Sequence, residues 1–197
     1  GHDRRSQVRN YLIVTFAYWV FTLTDGALRM LVLLHLHEQG YTPLTLAGLF
    51  LLYEFFGITT NFTAGWVGAR FGLKSTLWLG LSLQIVATSV LAWHADALTV
   101  ALVVAMQGLS GIAKDLTKMS AKSYVRLLAP QEDRLLHWVA LLTGSKNTLK
   151  GAGFFLGGVL LATLGFRDAN LSMAAALSVA LLVSTVALPR AMGKRKE

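Results

Sequence analysis

LTLAGLFLLYEFFGITTNFTAGWVGARFGLKSTLWLGLSLQIVATSVLAW, residues 44–93, holds two long apolar runs, Leu44 to Ala69 and Leu73 to Trp93, parted only by Arg70-Phe71-Gly72. At about 1.5 Å of rise per residue, either run as a helix spans about 30 Å of hydrocarbon. A turn this short between runs this long makes them two helices that cross a bilayer in opposite directions, with the glycine at the turn.

The same pattern extends to both sides. Further apolar runs cover Tyr11 to Leu36, Leu98 to Leu128, Leu135 to Leu164 and Leu171 to Leu188. Their connections are rich in turn formers and caps: Glu38 to Pro43, His94-Ala95-Asp96, Ala129 to Asp133, and Gly165-Phe166-Arg167-Asp168. Composition agrees: of 197 residues, 54% are hydrophobic and only 14% charged, with a mean hydropathy of +0.55. Lipid is therefore the expected solvent. The fold class expected is an all-α integral membrane bundle of six transmembrane helices. The second and fifth are glycine-rich, as in two inverted three-helix repeats.

Basic residues orient the bundle. One side carries Arg4, Arg5, Arg9, Arg70, Lys74, Arg126, Arg134, Arg190, Lys194, Arg195 and Lys196, and the other only Arg167. Both termini are thus expected in the cytoplasm. Residues 1–9 form an N-terminal cytoplasmic segment, 10–189 the membrane domain, and 190–197 a basic tail or the start of a central linker. The net charge of +8 does not argue for nucleic acid, because the apolar runs leave no extended basic face. There is no cysteine and no histidine spacing typical of a metal site. No activated nucleophile or phosphate-cradling glycine loop stands out, so neither chemistry on a substrate nor a cofactor is expected.

Charges inside the runs carry the functional signal. Asp25 and Arg29 lie near mid-depth of the first run and Glu54 near mid-depth of the second. Lys114, Asp115, Lys118 and Lys122 occupy the fourth, and Lys146 and Lys150 the fifth. A charge at the bilayer centre costs about 2.5 to 3.5 kcal/mol on insertion scales, so these groups need partners or a water-filled cavity. Helical spacing aligns Tyr18, Thr22, Asp25 and Arg29 on one stripe, Gln107, Gly111, Lys114 and Lys118 on a second, and Thr143, Lys146, Lys150 and Gly153 on a third. Three polar stripes imply a shared cavity. Within one helix, Asp25 can pair with Arg29, and Asp115 with Lys118 or, less fully, Lys122, leaving Lys114, Lys146 and Lys150 without a local acid. The expected site binds a small polyanion through Arg29, Lys114, Lys118, Lys146 and Lys150, with Arg29 offering a fork-shaped contact. Asp25, Glu54 and Asp115 serve coupling or charge balance. Asp25 and Glu54 are open to either role, proton carrier or counter-charge, and Lys118 and Lys122 equally suit snorkelling to headgroups.

Gly65-Trp66-Val67-Gly68-Ala69-Arg70-Phe71-Gly72-Leu73-Lys74 resembles the signature G-x-L-a-D-r-x-G-r-k of major facilitator transporters at Gly65, Arg70, Gly72 and Lys74, with Ala69 where aspartate is usual. Gly153-Phe154-Phe155-Leu156-Gly157-Gly158 resembles the G-P-x-x-G-G motif of proton-coupled antiporters, with phenylalanine in place of proline. Glycines four apart let helices pack closely. Several longer stretches are similar to one branch of that superfamily, the organoarsenical-efflux transporters of bacterial arsenic resistance: residues 10–29, LYEFFGITTN at 52–61, GARFGLKSTL at 68–77, QGLSGIAKDLTKMSAK at 107–122 and GSKNTLKGAGFFLGG at 144–158. The resemblance implies a bacterial inner-membrane exporter of 1-arseno-3-phosphoglycerate, functionally linked to the glyceraldehyde-3-phosphate dehydrogenase that makes this ester from arsenate. It also implies two six-helix halves, of which this chain is the N-terminal one, the other being a missing second half or another copy. The alternatives are another anion exchanger or a drug/proton antiporter, and, from a different class, a non-transporting membrane subunit.

Overall fold

The computed structural model describes residues 2–128 and 132–188, apart from the side chains of 2–4, 7, 60, 61, 63–65, 67, 68, 125, 127, 128, 132–136 and 138–146. The regular elements described are all helices: α1 (His2–Glu38), α2 (Pro43–Phe71), α3 (Leu73–Trp93), α4 (Val100–Leu128) and α5 (Glu132–Ala187). Val8–Glu38, Leu73–Trp93, Val100–Tyr124 and Asn147–Ala187 are long and apolar enough to cross a membrane, and Pro43–Thr59 is a shorter apolar stretch.

Local chemistry sets the ends. α1 stops on Gly40 at φ 94, and the Tyr41 amide returns to the Leu36 carbonyl at 3.1 Å, a glycine-closed helix end. α2 starts with Pro43, which needs no amide partner, while the Thr42 hydroxyl accepts from the Thr45 amide at 3.3 Å. Thr99 caps α4 in the same way through the Leu102 amide at 3.2 Å. Between α2 and α3 only Gly72 leaves the helical conformation, at φ 87, so the turn is tighter than the expected three-residue loop.

The largest departure from the sequence reading concerns the fifth and sixth spans. Instead of a loop over 165–168, α5 breaks only at Gly165 (φ 82, ψ 171), and helix resumes at 166 rather than at Leu171. Phe166 is buried and stacks on His35 of α1 at 4.2 Å between ring centroids, so the chain is packed as soon as it turns. The first arm of α5 (132–164) runs parallel to α1: Gly153 meets Leu23 and Ala27, Gly157 meets Ala27, and Gly158 faces Leu34. The second arm (166–187) runs back along α1, with Phe166, Ala169 and Met173 beside 27–36, and Leu177 and Ala180 beside 11–21. The described residues thus form six helical arms.

These contacts show the inverted repeat. α1 packs parallel on the first arm of α5 through Gly26, Gly153 and Gly157, and α4 packs parallel on α2 through Gly57 and Gly111. The antiparallel contact of α1 with the second arm of α5 has its counterpart in α4 against α3, where Gly80 meets Ala113 and Thr117 and the Ser110 hydroxyl donates to Gln84 Oε1 at 2.7 Å. Exchanging α1–α3 for α4 and the two arms of α5 reproduces each pair of contacts.

Two apolar clusters fill the interior. One joins Tyr11, Val14 and Phe21 to Leu73, Leu77 and Tyr124; the other joins Leu28, Leu31 and Leu36 to Leu46, Leu91 and Val103. On α1 they are separated at 22–26, the level of Asp25, and the charged groups gather there.

Candidate functional site

Asp25 is buried on α1, and both of its carboxylate oxygens accept from the Tyr53 hydroxyl of α2, at 2.8 and 2.9 Å. The expected Asp25–Arg29 pairing remains as a charge–charge attraction, with no ion pair between them within 4.0 Å among the described side chains. Each of the two side chains finds its hydrogen-bond partner on α2. Arg29 Nη2 donates to Glu54 Oε1 at 2.7 Å. Lys114, expected to lack a local acid, has its Nζ 3.7 Å from Glu54 Oε2, again across helices. Asp115 makes no ion pair with Lys118 or Lys122 within 4.0 Å among the described side chains, although Lys118 still attracts it; its Oδ2 is buried against Gly57 of α2 and accepts no hydrogen bond.

Tyr53, absent from the sequence-derived site, organises this layer. It is fully buried. The Arg29 guanidinium lies over its ring at 4.2 Å from the centroid, and Lys114 Nζ at 4.6 Å. Such contacts are worth about 0.5 to 2 kcal/mol, more where water is excluded. A signal was present in the sequence, since a tyrosine inside an apolar run must find a partner for its hydroxyl, and it stands next to Glu54. Phe50, one turn earlier, adds a ring 5.8 Å from Arg29.

A cavity of about 70 Å³ lies beside this layer, lined by Tyr18, Phe21, Thr22 and Asp25 of α1, Lys114 and Lys118 of α4, and Lys150 of α5. Parts of all three polar stripes thus meet at one place. A neighbouring, more open cavity of about 360 Å³ is lined by Arg29, Met30, Leu33, Phe50, Lys150 and Phe154. Lys150 faces both. The smaller cavity presents three lysines to one aspartate, which favours a negatively charged occupant. The Lys146 side chain lies outside those described.

The glycine motifs play distinguishable parts. A Cβ on Gly153 would lie 2.6 Å from the Leu23 carbonyl oxygen, and one on Gly157 would strike that of Ala27, so both positions need glycine. A Cβ on Gly158 would meet only Leu34 Cδ1, at 3.8 Å, an ordinary contact. In the α2–α3 turn, Arg70 is exposed, with its guanidinium 5.6 Å from the Trp66 ring and 5.8 Å from that of Phe71. Lys74 Nζ donates to the Leu188 carbonyl at 2.9 Å, placing a cation at the end of the last helix. Gly65 falls among the positions whose surroundings are not described.

A bundle of apolar arms in an inverted repeat, with paired charges and a cationic cavity at mid-depth, has the build of one half of a secondary transporter. The family model described as Major Facilitator Superfamily matches residues 14–197, and the chain belongs to that superfamily of membrane transporters. No curated protein matches the chain.

Proposed function

We propose that the chain is the N-terminal half of an exporter of an organic phosphate or arsenate anion, 1-arseno-3-phosphoglycerate, acting in arsenic resistance. The observation that carries this reading is the meeting of Lys114, Lys118 and Lys150 with Asp25 in one cavity, and of Arg29 with Lys150 in the next. A cargo with phosphate at one end and arsenate at the other suits two adjoining cationic cavities. The likeness of residues 10–29, 107–122 and 144–158 to organoarsenical exporters supplies the particular ester. The reading places the chain in the bacterial inner membrane with both termini cytoplasmic, working by rocking against a second six-helix half or another copy. No chemistry on the cargo is involved.

The test is arsenic efflux and arsenate resistance in arsenic-sensitive cells producing the intact protein, with and without a glyceraldehyde-3-phosphate dehydrogenase. Export that requires the dehydrogenase is expected. Dehydrogenase-independent export of other anions would reassign the cargo, and absence of any flux from well-inserted protein would favour a non-transporting subunit.

A further inference from the structure

Glu54 is the least enclosed member of the charged layer. Its side chain is 50% exposed, against 11% for Arg29 and 24% for Lys114, and its two oxygens face different cations, Oε1 at 2.7 Å from Arg29 Nη2 and Oε2 at 3.7 Å from Lys114 Nζ. Those cations do not depend on Glu54 alone for their position, because both also lie over the Tyr53 ring, whose hydroxyl is fixed to Asp25. Withdrawing the glutamate leaves an arginine fork and an ammonium held from behind. Their spacing is one that the two oxygens of a single group bridge.

We propose that the Glu54 carboxylate stands in for the anionic group of the cargo and is displaced by it on binding. This rests on the anion-transport reading above and adds how the site selects. A competing anion must gain more from Arg29 and Lys114 than Glu54 does, and Glu54 has the advantage of being tethered. A monocarboxylate offers the same single charge and the same two oxygens, so it gains nothing. A phosphate or arsenate monoester carries close to two charges and three free oxygens. Two of those oxygens replace the glutamate, and the third is left for Lys150, which lines one cavity with Lys114 and the adjoining one with Arg29. Glu54 thereby acts as a specificity filter, admitting dianionic tetrahedral esters and excluding monocarboxylates.

The experiment measures binding of glycerol 3-phosphate and of lactate, by calorimetry, to the intact protein in lipid nanodiscs, as the parent and as Glu54→Gln, which keeps size and removes charge. The parent is expected to bind glycerol 3-phosphate and not lactate. Glu54→Gln is expected to bind glycerol 3-phosphate at least tenfold more tightly and to acquire measurable lactate binding. If the parent binds glycerol 3-phosphate and Glu54→Gln binds it equally or more weakly, Glu54 is no stand-in, and the anion cavity survives without it. If properly folded parent and variant both bind neither compound, this proposal and the anion-transport reading fall together. Glu54→Ala provides the same comparison should the glutamine variant not insert.

Discussion

The Tyr53 hydroxyl of α2 donates to both carboxylate oxygens of the buried Asp25 of α1, at 2.8 and 2.9 Å, and so ties the first two helices together at mid-depth. α1 packs chiefly on α5, and α2 on α4, and the Arg29–Glu54 ion pair is the second tie between α1 and α2 at this level. The two ties therefore join the two parallel pairs of the inverted repeat.

Tyr53→Phe removes that bond and keeps the ring under Arg29 and Lys114. A hydrogen bond to a charged group is worth about 1.5 to 3 kcal/mol in soluble proteins, and polar pairs inside membranes average nearer 0.6. The variant is expected to insert normally, to lose a few degrees of thermal stability in detergent, and to transport about tenfold more slowly. Flux equal to the parent would mean that Asp25 needs no fixed partner.

The helix contacts give a second prediction. Gly153 and Gly157 abut the backbone of α1, so any side chain there pushes two helices apart, and overpacking costs about 1 to 3 kcal/mol. Gly153→Leu and Gly157→Leu are each expected to cut the yield of monodisperse protein several-fold, as read by fluorescence-detected size-exclusion chromatography. Gly158→Ala, with room up to Leu34, is expected to match the parent. A Gly158→Ala yield as poor as the other two would contradict the packing described.

How far the sequence reveals this architecture depends on the kind of feature. The runs and their short connections are legible because apolar length and Gly, Pro and Thr punctuation are local properties, and Gly40, Thr42 and Gly72 act where they stand. The alignment of Asp25, Lys114, Lys118 and Lys150 is legible because helical periodicity places residues on a face, and those faces do meet. Partner choice is not local. Asp25 with Arg29 is the natural pairing along one helix, yet the hydroxyl of Tyr53 and the carboxylate of Glu54 come from a neighbouring helix whose rotation no single run encodes. The restart of α5 at 166 is hidden for the same reason, since His35, on which Phe166 stacks, is far away in sequence.

The turn between α2 and α3 supports a third prediction. Gly72 holds φ 87 with ψ 161, a conformation essentially reserved for glycine that costs an L side chain about 1 to 3 kcal/mol, and Lys74 donates to the Leu188 carbonyl at 2.9 Å, a helix-end contact worth about 0.3 to 1 kcal/mol. Gly72→Ala is therefore expected to lower the thermal midpoint more than Lys74→Met does, by circular dichroism. The reverse order would show that Lys74 does more than cap the last helix.

Arg167 provides a control at the opposite end of the bundle. It donates to Asp96 Oδ2 at 2.7 Å and to the Ala92 carbonyl at 3.1 Å, but both charged side chains are substantially exposed. Exposed pairs contribute about 0.2 to 1 kcal/mol. Arg167→Ala is expected to change the thermal midpoint by no more than a few degrees and to leave transport at the parental rate. A collapse of flux would assign a role to the cavity of about 500 Å³ formed there by Ser89, Ala92, Trp93, Arg167 and Leu171.

Lys150 offers the sharpest separation of binding from folding, because it lines both central cavities and makes no ion pair within 4.0 Å among those described. Its burden is electrostatic: it shares the cavities with Arg29, Lys114 and Lys118, and like charges brought together in a low-dielectric interior repel. Lys150→Met relieves that repulsion while keeping the length of the stem, so the variant is expected to be at least as stable as the parent. It also removes one of the charges that would hold an anion, and efflux is expected to fall at least tenfold. Lys150→Arg restores the charge and should recover most of the flux. Thermal midpoint and efflux measured on all three proteins separate the cases. A Lys150→Met protein that is destabilised and still exports would make the lysine a structural cation, whereas one that is stable and silent would locate the loss in binding of the cargo.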